Sequence, residues 1–462
     1  MRPTHWRPST HLLVGVGVLA VVAAVVVATA LLTGRVHGAA QAQIPPPPPG
    51  VTAKSSIVAA AADAQMPTQS GLAAALAVVA ADPNLGKLGG RVTDAMTGQE
   101  LWNHLDDLLL QPASTNKTLT SAAALLSLDR DARVTTRVVE AGEPGTVVLV
   151  GGGDPTLSGA PPGQDTWYHG AARLSDLADQ VRRSGVTATA VQVDTSLFSG
   201  PTFAPGWDPA DIDGGDIAPI ESVMLDAGRI QPATDQSRRS TTPALDAGRA
   251  LAAALSVDPA RVTVTNRAAP SGARQLAAVQ SAPLIERLNE MMNVSDNVMA
   301  ESIAREVAAS MQRPLSFAGA VDGVTTRLNT AHVDTGTAIL RDSSGLSVDD
   351  RLTAKILDSV VQAAAGPDEP KLRPLLDLLP IAGGSGTLSD RFLDATFNAA
   401  GPAGWLRAKT GSLTAINALA GVVTDRSGRV LTFALLSNDA GMSGRTAIDA
   451  VASTLWSCGC AP

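Results

Sequence analysis

Pro112-Ala113-Ser114-Thr115-Asn116-Lys117-Thr118-Leu119-Thr120-Ser121-Ala122-Ala123-Ala124-Leu125-Leu126 runs from proline and small polar residues into an alanine/leucine stretch, which is how a helix begins. Ser114 is expected in its first turn, with Lys117, three residues on, sharing its face. A serine hydroxyl is a weak nucleophile until a neighbouring base takes its proton. A lysine becomes that base when burial disfavours its charged form. A serine in this place is more ordinarily a helix cap and a lysine there is more ordinarily solvated. The chain holds 35 lysines and arginines together, only six of them lysine, and Lys117 alone follows a serine at this spacing.

Working outward, two further short motifs come in order along the chain. Ser295-Asp296-Asn297 stands between two helical stretches, about residues 283–292 and 298–309, and offers a hydroxyl and an amide to one cleft. Lys409-Thr410-Gly411-Ser412 lies in a strand-like run, Leu406 to Ile416. Glycine there admits a substrate to the strand edge, while Thr410 and Lys409 offer a hydrogen bond and positive charge to a carboxylate. Each alone reads as an ordinary turn or an edge-strand lysine.

Strand-like runs at Ala418 to Thr424 and Val430 to Ser437 follow, with a turn at Asp425-Arg426-Ser427-Gly428 and a closing helix from Thr446 to Leu455. Ser70 to Asp82 reads as helix, and Gly90 to Asp94 with Gln99 to Trp102 as a hairpin. Helices at both ends against an antiparallel sheet predict an α/β sandwich. Between about Thr135 and Gln275 the texture changes to β-like runs at 134–139, 147–150, 186–193 and 262–264, a helix at 245–255 and many Gly/Pro loops. That stretch is expected to be an inserted α+β region, with the catalytic domain in two parts, 70–134 and 276–462. Gly151-Gly152-Gly153-Asp154 lacks the spacing of a phosphate loop and reads as a tight turn.

The net charge of −8 and the absence of a basic stripe argue against nucleic acid as a partner. Residues 1–50 form a leader. Arg2 and Arg7 precede the uncharged run Leu12 to Leu32, long enough as a helix to cross a bilayer core of about 30 Å. Its length favours a retained membrane anchor, with Ala40-Gln41-Ala42 as the alternative cleavage site for a secreted form. Pro45 to Pro49 make a stiff spacer. The body is expected outside the cytoplasmic membrane. Cys458 and Cys460 are too few for a closed zinc site. Export permits a disulfide, although a single residue between them implies a strained ring, so their role stays open. No cofactor and no metal are expected.

Ser-x-x-Lys, Ser-Asp-Asn and Lys-Thr-Gly together are the signature of penicillin-binding proteins and class A β-lactamases. With Val147 to Leu157, Asp194 to Pro201, Ser295 to Glu301 and Arg407 to Thr414, the chain resembles a low-molecular-mass penicillin-binding protein of the D-alanyl-D-alanine carboxypeptidase/endopeptidase type with an inserted domain. The likeness covers about residues 70 to 456. It implies the serine β-lactamase/penicillin-binding-protein-like transpeptidase fold and acyl transfer on peptidoglycan stem peptides, with β-lactam antibiotics as covalent inhibitors. It implies Ser114 as nucleophile, Lys117 as base, Ser295 and Asn297 as proton relay and amide anchor, and Lys409 as part of the catalytic group. Thr410, Gly411 and Ser412 would bind substrate, and the backbone N–H groups of Ser114 and Ser412 would form the oxyanion hole. Ser412 stands where the family commonly has threonine. The long separation of Lys117 from Ser295 favours the carboxypeptidase over a β-lactamase. A Ser-His-Asp hydrolase lacks its Gly-x-Ser-x-Gly elbow here, and past residue 50 the histidines are only His104, His169 and His332. The remaining alternatives are a β-lactamase and a peptidoglycan sensor that is acylated without turnover.

Overall fold

The computed structural model describes residues 20–29, 64–234, 236–393 and 401–458. It divides into two units, residues 1–58 and 59–462. In the first, 20–29 are helical and exposed. This piece lies within the Leu12 to Leu32 run, the rest of which falls outside the described residues, as do the proline spacer, the Ala40-Gln41-Ala42 site and Cys460. Among the described residues no helix is long and apolar enough to cross a membrane.

The second unit opens with α1 (Gln69–Leu76), β1 (Lys87–Asp94), β2 (Glu100–His104) and α2 (Lys117–Ser127). It continues through β3 (Thr135–Glu140), β4 (Thr146–Val150), α3 (Leu174–Arg183), β5 (Ala190–Asp194), α4 (Pro243–Ala254), β6 (Val262–Thr265) and β7 (Gln275–Gln280). Then come α5 (Leu284–Val294), α6 (Asn297–Ser310), α7 (Phe317–Thr330) and α8 (Ala354–Ala365). β8 (Leu406–Leu413), β9 (Ile416–Thr424), β10 (Val430–Asn438) and α9 (Gly444–Ser457) close it.

The first sheet has the order β2-β1-β10-β9-β8 and is antiparallel throughout. Its chain termini meet in the middle, where β1 pairs with β10. Side chains alternate between faces along a strand, and β9 and β10 use both. Leu419, Val423, Leu431, Phe433 and Leu435 pack with α1 and α9, whereas Ala418, Ala420, Ala434 and Leu436 pack with α2 and α8. The small alanines on the second face let α8 lie close to the sheet, and the turn Ala113–Asn116 that leads into α2 packs beside β8 and β9. The strands therefore read as nearly unbroken apolar runs rather than a clean alternation.

The second sheet, β6-β5-β4-β3-β7, is mixed. β4, β5 and β6 are parallel neighbours, and parallel neighbours need a crossover. α3 and α4 supply the two crossovers and bury their apolar faces against Val147, Leu149, Val191 and Val193.

Several boundaries differ from the sequence reading. The helix expected over 70–82 stops at Leu76, with a 3-10 turn at Val79–Ala81. Val186 to Thr189 precede β5 rather than belonging to it. The 406–416 run breaks after Leu413, because Ala415 takes φ +56° in the turn to β9. α7, α8 and β7 were not anticipated; α7 carries Gly319 and Gly323, which weaken its helical signal. Cys458 is disulfide-bonded.

Candidate active site

Ser114 does not sit in the first turn of an α-helix. It lies in a 3-10 turn, Ala113–Asn116, that runs into α2. In a 3-10 turn residues i and i+3 eclipse one another, and this geometry, rather than α-helical spacing, stacks Ser114 and Lys117. Neither the turn nor α2 has a side-chain N-cap, so Ser114 is not a cap. Its hydroxyl accepts from Lys117 Nζ at 2.9 Å.

Lys117 is fully buried. Its Nζ also donates to Asn297 Oδ1 at 2.6 Å and to the Ser344 carbonyl at 2.8 Å. Burial lowers it to about 8, against the opposing pull of Asp342, Asp296, Glu301 and Asp216. A neutral amine has two N–H groups and one lone pair. Asn297 and Ser344 take the two N–H groups, which leaves the lone pair directed at the Ser114 hydroxyl.

Ser295 ends α5 in the left-handed region (φ +62°, ψ +37°), and Asp296 caps α6 by accepting from Met299 N at 2.9 Å. The reversal between the two helices turns Ser295 and Asn297 into the same cleft. Ser295 Oγ accepts from Lys409 Nζ at 2.9 Å, and Asn297 Nδ2 donates to the Asp216 carbonyl at 3.0 Å. Lys409 is buried on β8 and also donates to its neighbour's carbonyl, Thr410 O, at 3.1 Å. Burial, and then the charge of Lys117, push it well below the usual lysine range. Thr410 Oγ1 bonds Thr387 Oγ1 at 2.8 Å. Gly411 lies close to the turn that holds Ser114, since a Cβ there would be 2.7 Å from the Pro112 carbonyl.

The structure thus brings Ser114, Lys117, Ser295, Asn297, Lys409, Thr410, Gly411 and Ser412 together. Ser114, Ser295, Asn297, Thr410 and Ser412 line one cleft of about 570 Å³. Sequence reasoning missed Thr387, Asp211, Asp216, Arg391 and Arg445 on the same cleft. It also missed the buried loop Asp342 to Ser347, whose Ser344 carbonyl holds the lysine. Asp-Ser-Ser-Gly carries a turn signal, but nothing in it names the helix it turns toward.

A family model for the D-Ala-D-Ala carboxypeptidase 3 (S13) family matches residues 72–239 and 233–455. The chain belongs to that family. A second model, the N-terminal domain of Carboxypeptidase Rv3627c-like proteins, matches residues 1–59. The chain is 69% identical to Carboxypeptidase Rv3627c of Mycobacterium tuberculosis, over the full length of both. It is 66% identical to Carboxypeptidase DacB of Mycolicibacterium smegmatis, again over both full lengths. Among solved structures, penicillin binding protein 4 (dacB) from Haemophilus influenzae matches with a TM-score of 0.67 at 24% identity, covering 85% of this chain and 99% of that one. That likeness shows the fold: an α/β, penicillin-binding-protein-like architecture.

Proposed function

We propose that this serine D-Ala-D-Ala carboxypeptidase works through an acyl-enzyme at Ser114. Lys117 takes the Ser114 proton as Oγ attacks the carbonyl carbon of the penultimate D-Ala of a peptidoglycan stem. The tetrahedral oxyanion is held by the backbone N–H groups of Ser114 and Ser412. The C–N bond then breaks, and the departing D-Ala nitrogen receives a proton through Ser295. Asn297 anchors the substrate amide. Thr410 and Lys409 hold the terminal carboxylate, whose negative charge favours the ammonium form of Lys409 that burial disfavours. Water then releases the acyl group. A β-lactam enters by the same first step and stays on Ser114.

The observation that carries this reading is the arrangement of Lys117 Nζ, with two acceptors for its N–H groups and Ser114 Oγ at 2.9 Å. Mass spectrometry of products from a defined pentapeptide and from a cross-linked dimer tests it. Release of one D-Ala from the pentapeptide is the expected result, and cleavage of the dimer would add endopeptidase action. No D-Ala release from either substrate, with Ser114 still labelled by penicillin, would leave a sensor.

The second sheet and its loops, about residues 135–275, are read as an insertion that borders the cleft through Asp211 and Asp216 without supplying the base. The body is placed outside the cytoplasmic membrane, tethered through Leu12 to Leu32. The uncharged run and its basic flank support that tether. Protease shaving of spheroplasts should degrade residues 59–462, and protection of that body would refute the topology.

A further inference from the structure

Three consecutive carbonyls of the Asp342 to Ser347 loop face the start of α2. Asp342 O accepts from Asn116 Nδ2 at 3.3 Å, Ser343 O from Thr120 Oγ1 at 2.6 Å and Ser344 O from Lys117 Nζ at 2.8 Å. The N–H groups of the same loop are gathered by two carboxylates. Ser343 N donates to Glu301 Oε1 at 2.8 Å, Gly345 N to Asp342 Oδ1 at 2.7 Å and Ser347 N to Asp342 Oδ2 at 2.7 Å. Asp342 is fully buried. It also accepts from Trp207 Nε1 at 2.7 Å, a ring fixed edge-on between Phe203 and Phe317 with centroids 5.1 Å away on each side. Ser347 Oγ donates to the Pro205 carbonyl at 2.7 Å. The second-sheet region therefore grips the loop that grips the lysine.

We infer that Asp342 is a positioning residue for proton transfer: its carboxylate folds the loop that fixes the Ser344 carbonyl against Lys117 Nζ, with Trp207 as its own support. This rests on the reading of Lys117 as base.

Asp350 fits the part of a neutral donor. Its Oδ1 accepts from Arg341 N at 2.6 Å, and its buried Oδ2 has no hydrogen-bond partner among the described residues. Burial and the adjacent Asp342 charge push it up to about 10, so at neutral pH it stands beside Asp342 as a neutral group. An asparagine there is the neutral isostere, with Oδ1 accepting from Arg341 N and Nδ2 in the place of the protonated oxygen. At position 342, by contrast, asparagine fails. Both carboxylate oxygens accept N–H groups, so either orientation of the amide sets its NH₂ against a donor.

The charged groups around Lys117 are Asp342 from the loop, Asp296 and Glu301 at and within α6, Asp216 from the segment before α4, and Lys409 from β8. Glu301 is itself raised to about 7 by burial and Asp342. Of these, Asp342 is the strongest influence raising Lys117. Removing its charge and loosening the Ser344 acceptor both favour the neutral amine.

The test measures second-order acylation by a fluorescent penicillin against pH, with melting temperature, on the full chain and on D342N, D350N, D350A and K117A. For D342N the plateau rate should fall about 10²-fold, the scale of a misplaced catalytic group, and the acid limb should move to lower pH. A purely structural role would lower the yield of folded protein without moving the limb. D350A should also lose rate, and D350N should restore it, which decides the matter even where D342N does not fold. A folded D342N with wild-type rate and an unmoved limb, or D350A and D350N behaving alike, overturns the positioning role. K117A acylating like wild type would instead overturn the base assignment itself, and is distinguishable because it leaves the D342N outcome to be read separately.

Discussion

The hydroxyl of Tyr168 donates to Asp296 Oδ2 at 2.6 Å, so the chain's single tyrosine reaches from the loop before α3 into the middle of the Ser295-Asp296-Asn297 motif. Arg229 NH1 donates to the same hydroxyl at 2.7 Å, and its NH2 lies 3.6 Å from the Asp296 carboxylate. Burial raises Asp296, but Arg229, Arg239 and the Tyr168 and Met299 hydrogen bonds outweigh it and hold the carboxyl below its ordinary value. Asp296 is charged in order to cap α6, and α6 begins with the Asn297 that touches Lys117.

Tyr168→Phe should therefore cost roughly 1–3 kcal/mol, the penalty for removing one partner of a buried charged acceptor. It should also slow penicillin acylation, because the cap that sets Asn297 loosens. Thermal melting and acylation rate measured on one preparation check both effects. A variant unchanged in both would mean that Arg229 alone suffices.

The pH dependence follows from Lys117. Neutral amine is the active form, and its folded value is about 8. Below that pH the amine is protonated and acylation should fall roughly tenfold per unit. Above it the rate should level off. The limb is a property of a lowered lysine, so it should lie far below the ordinary lysine range near 10.4. Stopped-flow acylation between pH 5 and 10 measures it, and a flat profile across that span would remove Lys117 from the proton transfer.

How much of this was present in the sequence depends on the range of the signal. Ser114 and Lys117 are three residues apart, and Lys409 and Thr410 are adjacent, so local spacing sufficed to pair them. The hairpin of β1 and β2 and the strands β8 to β10 were marked by turn residues and apolar runs. Nothing local could place Ser344 against Lys117 or Trp207 against Asp342, because both contacts join segments more than a hundred positions apart. α8 was missed for a related reason. It buries Leu357, Val360, Val361 and Ala364 against the sheet and α2, and its proper signal is that packing, whereas the sequence reading followed motifs. The sequence reads as α-helix at Ser114 because both helix types place residue i+3 on the same side, and only the backbone hydrogen bonds, spanning three residues rather than four, separate them.

Gly345 offers a packing test of the same loop. It has φ +81°, and a Cβ on it would lie 1.9 Å from the Ala113 carbonyl oxygen. That contact is backbone, so no side-chain rotation relieves it. Gly345→Ala should cost roughly 2–4 kcal/mol from the left-handed conformation and the overlap together. Since Ala113 directly precedes Ser114, the surviving folded fraction should also acylate slowly. Thermal melting with active-site titration separates loss of fold from loss of rate. A variant as stable as wild type would show that the loop can retreat from the turn.

The last prediction separates nucleophile from scaffold at Ser114. Helix starts often use a serine as cap, and loss of such a cap costs about 1 kcal/mol. Here neither the 3-10 turn nor α2 is capped by it, and its hydroxyl meets Lys117 instead. Ser114→Ala should accordingly leave the melting temperature nearly unchanged while abolishing covalent penicillin labelling and D-Ala release together, since both begin with the same acyl-enzyme. Lys117→Ala should match it in activity, because residues that act as one proton-transfer unit lose rate non-additively. It should differ in stability, however: the half-buried acceptor Asn297 Oδ1 and the buried Ser344 O lose their donor and a cavity replaces the side chain. Thr410→Val should keep labelling and mainly raise KM, because its hydroxyl serves the carboxylate and not the proton. Labelling, D-Ala release and melting on the same preparations distinguish the three variants. A folded Ser114→Ala protein that still labels would reject Ser114 as the nucleophile, and one that melts far below wild type would restore the structural role that the turn geometry denies it.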